Sequence, residues 1–250
     1  MREDECLAAA VVLASGAGVR VGGEVNKVYL PLAGRSMLAW SLRTLAGVPG
    51  VGVLVLVVRP QDREQAETIA RTELAGCVVE IVHGGVARQD SELMALRHLR
   101  PRIAAGQIDV VLMHDAARPL VTRDLAAAVL HTARRSGGAV PGVPRDGLLQ
   151  VSEDGTVAQA DLGTLMAMQT PQGFLAAPLL TAYEQAAADG FIGTDTAACV
   201  QRYSDVAVRC IPGDDGNIKI TYPHDLVIAV NSLTAAQPSG ASAGSPGRKG

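Results

Sequence analysis

Near the amino end, an apolar run over residues 7–13 leads into Ala14-Ser15-Gly16-Ala17-Gly18-Val19-Arg20-Val21-Gly22-Gly23-Glu24-Val25-Asn26-Lys27. Glycine lets a backbone approach a ligand closely, and successive free N–H groups form a concavity that binds anions. Two cations, Arg20 and Lys27, stand beside that concavity, so the stretch suits a polyphosphate and predicts a nucleotide triphosphate loop. Two better-known glycine loops fit less well. A dinucleotide loop needs G-x-G-x-x-G and an acid after the second strand. Here Val21 takes the third glycine position, and the next apolar run ends Val57-Val58-Arg59-Pro60 with no acid. The ATPase-type loop needs G-K-[ST], which is absent. A flexible strand-to-helix connection with incidental charges is the remaining reading. Lysine usage weighs against it. Lys27, Lys219 and Lys249 are the only lysines among 22 lysines and arginines, and two of the three fall in motif-like stretches. An ammonium is a compact point charge that arginine does not replace.

Three other polar stretches carry comparable chemistry. They are His83-Gly84-Gly85-Val86-Ala87-Arg88-Gln89-Asp90-Ser91, His114-Asp115-Ala116-Ala117-Arg118-Pro119, and Gly213-Asp214-Asp215-Gly216-Asn217-Ile218-Lys219. The elements around them follow from hydrophobic periodicity. Strands are expected over 7–13, 51–58, 77–82 and 108–113. Helices are expected over 36–46 with Ser36 as cap, over 61–74, after the His83–Ser91 turn through Leu93, Leu96 and Leu99 to Pro101, and over 123–135. The Val/Leu run over 51–58 has the pattern of a parallel strand covered on both faces. Strand and helix alternate four times, which predicts a doubly wound, mostly parallel α/β sheet. Ligands sit beyond the carboxyl ends of such strands. The first glycine loop, the Gly84-Gly85 turn and Asp115 all fall at that edge.

The pattern changes after residue 137. A fifth strand is expected over 137–141, then a hairpin over 148–151 and 156–159 around Glu153-Asp154-Gly155, then an extended piece over 165–169. Together they predict a β-arm, about 141–170, protruding from a single domain that spans 1–235. A lone hairpin is marginal in water, so the arm calls for a partner, and a homodimer is expected. The chain returns through helices over 175–188 and from a Thr194 cap to 203, a strand over 206–211 and a helix over 223–233. Residues 236–250 are rich in Pro, Ser, Gly and Ala, the composition of a disordered tail.

Composition narrows the class. The chain has 250 residues, 48% hydrophobic and 19% charged, enough for a full core. A net charge of −3 argues against a nucleic-acid or anionic-membrane surface. No apolar run approaches 18 residues, and the acidic start Met1-Arg2-Glu3-Asp4-Glu5 lacks a signal-peptide profile. Cys6, Cys77, Cys199 and Cys210 show no metal-ligand spacing and read as free thiols of a cytoplasmic protein.

These stretches, together with Tyr29-Leu30 and Thr170-Pro171-Gln172, resemble the 2-C-methyl-D-erythritol 4-phosphate cytidylyltransferase family across nearly the whole chain. Ribitol- and other alditol-phosphate cytidylyltransferases share most of them. The resemblance implies a Rossmann-like nucleotidyltransferase fold and attack of an acceptor phosphate on the α-phosphorus of CTP. It implies that Arg20 and Lys27 hold the β- and γ-phosphates, that Lys219 approaches the α-phosphate, and that Asp115 binds Mg²⁺. On position alone, Asp115 also suits a helix N-cap or a partner for Arg118. The backbone at Ala14, Ser15, Gly85 and Val86, with the Ser91 hydroxyl, would read the cytosine base, and Gly16 and Gly18 would help hold the nucleotide, although Ser91 suits an N-cap as well. His114 is expected to be structural. Arg118, Arg145 and Thr194 are candidates for the acceptor. Here the chain departs from the family pattern. Gly147 replaces a threonine after Arg145-Asp146, and Leu162 replaces an arginine that in the family reaches across a dimer to the substrate phosphate. A different polyol phosphate or phosphonate acceptor is therefore the alternative. A CTP-binding protein without catalysis and a nicotinamide-dependent oxidoreductase are more remote.

Overall fold

The structure, a computed structural model, describes residues 7–16, 26–147, 150–151, 157–158 and 164–235. Strand β1 (Leu7–Leu13) runs into the site, and a single 3-10 turn over Lys27–Tyr29 follows. A small ribbon, β2 (Pro31–Leu32) with β3 (Arg35–Ser36), leads to α1 (Met37–Ala46). Ser36 caps α1 as its sequence predicts, its hydroxyl accepting the Ala39 N–H at 3.2 Å. Then come β4 (Val51–Val58), α2 (Arg63–Glu73), β5 (Val79–His83), α3 (Arg88–Ala104), β6 (Ile108–Asp115) and α4 (Arg123–Ser136). The last part holds β7 (Gly138–Pro144), β8 (Gln150–Val151), β9 (Val157–Ala158), β10 (Met166–Met168), β11 (Gln172–Leu175), α5 (Ala176–Asp189), α6 (Thr196–Tyr203), β12 (Val208–Pro212) and α7 (Pro223–Ala235).

The main sheet has the order β10-β7-β11-β6-β1-β4-β5, with β12 added to β7. Its β6-β1-β4-β5 half is parallel, and β11 pairs antiparallel with both β6 and β7. Alternation along β1 shows why both faces must be covered. Ala8, Ala10 and Val12 pack with Leu38 and Leu42 of α1 and Val129 of α4. Ala9, Val11 and Leu13 pack with Leu96 and Leu99 of α3 and Leu179 of α5. A strand buried on both sides has no polar face to offer, which accounts for the Ala/Val/Leu run. A third cluster, Leu32, Met37, Ile220 and Ala229, seats α7 beside the ribbon.

Several boundaries differ from expectation. Strand β11 was not expected; only its last residue, Leu175, overlaps the helix expected over 175–188. It is only four residues long, too short to show a period, yet it wedges between β6 and β7. The two roots of the predicted arm lie within the main sheet, because Met166, Ala167 and Met168 pair with Pro144, Val143 and Gly142. Between these roots β8 and β9 pair with each other, apart from the main sheet. Helix α3 runs through Pro101 to Ala104, since a proline in the last turn removes only one hydrogen bond there. Helix α6 is capped by Asp195 rather than Thr194, its carboxylate accepting the Ala198 N–H at 2.9 Å. The predicted tail, 236–250, lies outside the described residues.

Candidate functional site

The carboxyl ends of β1, β4, β5 and β6 open into a cavity of about 570 Å³. Of the residues singled out in the sequence, Ala14, Ser15, Gly16, Lys27, Gly85, Val86, Ser91, Asp115 and Lys219 all line it. Arg20 and Gly18 lie outside the described residues. Arg118, Arg145 and Thr194 do not line it. Asn26, Arg59, Arg88 and Ala117 do, and nothing in their local sequence assigns them a role.

One end of the cavity is built from glycine and serine. Ser15 Oγ donates to Ser91 Oγ at 2.8 Å, and the Ser91 hydroxyl also accepts the Gly85 N–H at 3.2 Å. Ser91 is the fourth residue of α3, not its cap; Ala87 holds the cap position, and Asp90 accepts the Ala87 N–H at 2.9 Å. The glycines are needed for close approach. A Cβ on Gly84 would lie 2.7 Å from both Ser15 Cβ and Ser91 Oγ, and one on Gly85 would lie 2.2 Å from Asp90 Cβ. Ala14 keeps its N–H on Val57 O at 2.8 Å, while its carbonyl accepts from Asn26 Nδ2 at 2.7 Å. Asn26 also caps the turn that carries Lys27, so one side chain ties the buried Lys27 to the end of β1.

The other end is ionic. Asp115, the last residue of β6, receives Lys219 Nζ on Oδ2 at 2.7 Å and Arg88 Nε on Oδ1 at 3.2 Å. Burial pushes this carboxyl up, but Arg88 and Lys219 outweigh it and hold the group well below the usual carboxylate range. Asp115 is thus neither a helix cap nor an ion-pair partner of Arg118. Arg88 in turn pairs with Glu92 at 2.8 Å. Glu92 is fully buried and accepts from Tyr183 Oη at 2.8 Å and from Thr196 Oγ1 at 2.5 Å. Burial raises the Glu92 pKa, with Arg88 and both hydroxyls opposing.

Lys219 reaches this point because its segment is tied down on both sides. Ile220 N–H donates to Ala117 O at 2.8 Å, and Asn217 Nδ2 donates to Thr170 O at 2.9 Å. Arg118 braces the same segment, donating to Asn217 O at 2.7 Å and Met168 O at 3.1 Å. The Thr170 hydroxyl accepts the Asp115 N–H at 3.0 Å and lies 3.1 Å from His114 Nδ1. Burial pushes the His114 pKa down to about 4, so its ring is neutral at pH 7 and structural, as expected. Thr194 sits in the loop before α6. Gln89 holds that loop through Phe191 O and the Gly193 N–H, both at 2.7 Å.

Chemically, among the described residues the cavity offers fixed cations, one ionised carboxylate and a small polar floor, which suits a phosphorylated ligand with a planar ring. Comparison with known proteins agrees. The model of the family "IspD: 2-C-methyl-D-erythritol 4-phosphate cytidylyltransferase" matches residues 8–235. A protein of that description from Geobacter metallireducens is 38% identical over 222 residues, covering 88% of this chain and 94% of its own. One from Symbiobacterium thermophilum is 40% identical over 223 residues, covering 88% and 89%. Among solved structures, 4-diphosphocytidyl-2C-methyl-D-erythritol synthase from Anaerococcus prevotii superposes with a TM-score of 0.80 at 25% identity, covering 92% of this chain and 97% of that one. The cytidylyltransferase structure from Thermus thermophilus gives 0.69 at 29%, covering 91% and 99%.

Proposed function

The chain belongs to the 2-C-methyl-D-erythritol 4-phosphate cytidylyltransferase family, and from that premise we propose how its own residues carry the reaction. It is a CTP-dependent nucleotidyltransferase of isoprenoid precursor synthesis. An oxygen of the acceptor phosphate attacks the α-phosphorus of CTP. The new P–O bond forms as the bond to the bridging oxygen breaks, and pyrophosphate leaves with the electron pair. Such transfers depend on positioning and charge neutralisation more than on covalent help.

The observation that carries the assignment is the convergence of Lys27, Asp115 and Lys219, from three distant stretches, on one cavity with a serine-glycine floor. Lys27, with Arg20, holds the β- and γ-phosphates and the charge that develops on pyrophosphate. Lys219 leaves Asp115 for the α-phosphate as the nucleotide binds. Ala14, Ser15, Gly16, Gly18, Gly85, Val86 and Ser91 hold the nucleoside. The family is generally metal-dependent, and we assign Mg²⁺ to Asp115. Among the described residues no group of three His, Cys, Asp or Glu could hold a metal unaided. A single ionised carboxylate in a phosphate cavity fits Mg²⁺, which takes few protein ligands and completes its shell with water and phosphate oxygens. When bound, the ion supplies charge neutralisation to the phosphates.

The acceptor falls to Arg118, Arg145 and Thr194, outside the nucleotide cavity. Arg118 spends two donors on backbone carbonyls, so its share is mainly to hold the Asn217-Ile218-Lys219 segment in place. Gly147 favours a second reading, transfer to another polyol phosphate or phosphonate. Its φ is +72°, a left-handed conformation that threonine avoids, so the glycine here suits its own backbone and leaves no hydroxyl at this point of the arm. The β8–β9 pair supports the homodimer, since two short strands away from the main sheet need a partner to be stable. Free Cys77, Cys199 and Cys210 support a cytoplasmic location, where thiols stay reduced. Among the described residues no helix is long and apolar enough to cross a membrane.

The test is pyrophosphate release from CTP with Mg²⁺ and 2-C-methyl-D-erythritol 4-phosphate. Lys27→Ala and Asp115→Ala should each lower kcat at least about 10²-fold with the fold intact by circular dichroism. Near-full activity in either variant would overturn the assignment.

A further inference from the structure

Arg59 stands one residue past β4, and strand register fixes its level in the site. Val57 is level with Leu13 of β1, and Val58 with His83 of β5. The next residue on therefore comes between Ser15 on one side and Gly84 on the other. Pro60 keeps Arg59 extended, with φ −72° and ψ 149°. Its side chain lines the cavity.

The guanidinium is held on one edge. Nε donates to Asp62 Oδ2 at 2.7 Å and Nη2 to Asp62 Oδ1 at 2.9 Å. Asp62 is itself buried, with Asn26 Nδ2 at 3.5 Å. A bidentate pair of this kind fixes the plane of the arginine and offsets its charge. Among the described residues nothing hydrogen-bonds its outer edge, formed by Nη1 and the second Nη2 hydrogen. Two parallel donors on a charge-compensated group suit a pair of adjacent neutral acceptors better than a triphosphate, which has Lys27 and Lys219.

We propose that Arg59 selects the base, donating to the adjacent O2 and N3 acceptors of cytosine, with Asp62 as its positioning residue. This rests on the placement of the base beside Ser15, Gly85 and Ser91 given above. Cytosine presents two neighbouring acceptors on that edge. Uracil carries a hydrogen on N3 between its two carbonyls, so one of the two donors meets a donor. Discrimination then follows from an unpaired buried donor, whose cost is larger than the gain of the bond itself.

Titration calorimetry with Mg²⁺ and CTP or UTP tests this in the wild type, Arg59→Met, Arg59→Lys and Asp62→Asn. The wild type should prefer CTP. Arg59→Met should shrink the CTP/UTP affinity ratio by about 10-fold or more, mainly by weakening CTP. Arg59→Lys keeps the charge but lacks the fork, so it should not restore the ratio. Asp62→Asn should fall between wild type and Arg59→Met. A ratio unchanged in Arg59→Met, or equal weakening of both nucleotides, would overturn the inference. Should Arg59→Met fail to fold, the ratio in Arg59→Lys decides: unchanged, it overturns the inference. A wild type that binds CTP no better than UTP would instead overturn the placement of the base.

Discussion

Lys219 meets Asp115 across 104 residues of sequence, and Glu92 meets Tyr183 across 91 and Thr196 across 104. Lys219 and Asp115 were each legible as site residues, Lys219 being one of three lysines and standing in a distinctive Asn-Ile-Lys run, but their ion pair was not, since Arg118 was the partner expected for Asp115. The Glu92 contacts were not legible either. Arg88 and Glu92 are spaced as an ordinary exposed helix pair, and only α5 and α6 packing over them makes the carboxylate buried. Arg59 escaped notice for a similar reason: Asp62 sits four residues beyond the strand end, where no dinucleotide pattern places an acid. One titration follows from the same packing. Burial, with the Glu92 carboxylate nearby, pushes the Cys199 thiol up to about 11 from 9.0. A raised folded pKa means that the stabilisation is fully present below pH 9 and is lost as pH rises through 11. Denaturation at pH 8 and pH 11 should show wild type losing up to about 2 kcal/mol more than Cys199→Ala. Equal losses would contradict this account of the thiol.

At the scale of elements, the β5–α3 turn is the part of the site with least room. Its glycines were legible as a turn, whereas their closeness to Ser15 and Asp90 depends on how β1 and α3 pack together. Gly85→Ala should therefore act on the site more than on the core. We expect CTP to bind at least about 10-fold more weakly, with the melting temperature a few degrees lower. Unchanged CTP binding in a calorimetric titration would show that the turn does not touch the nucleotide. Strand β11 marks the limit of pattern reading. Gln172–Leu175 has only Phe174 fully buried in the apolar core, and four residues cannot show a period of two against the start of a helix. Its place was set by the gap between β6 and β7, a feature of the whole sheet. Ser91 was open to a cap reading for the converse reason: local sequence allowed it, and the helix begins at Arg88 with its cap at Ala87, four residues before Ser91.

At the scale of the molecule, the alternation of apolar runs and amphipathic helices was enough to give a doubly wound sheet with its site at the carboxyl edge. The half beyond β6 was harder to read, since β11, β7, β10 and β12 pair out of sequence order. The arm springs from that half, and Leu162 on it lies outside the described residues. Light scattering at micromolar concentration should give a dimer; a monomer would contradict the proposed role of β8 and β9. The acceptor is the point where the residues depart furthest from the family pattern, and it carries the central claim. The most direct measurement is pyrophosphate release with CTP and Mg²⁺ against a panel of acceptors headed by 2-C-methyl-D-erythritol 4-phosphate. Turnover is expected with that acceptor, well above any other polyol phosphate or phosphonate. Silence there, with turnover on another member of the panel, would contradict it.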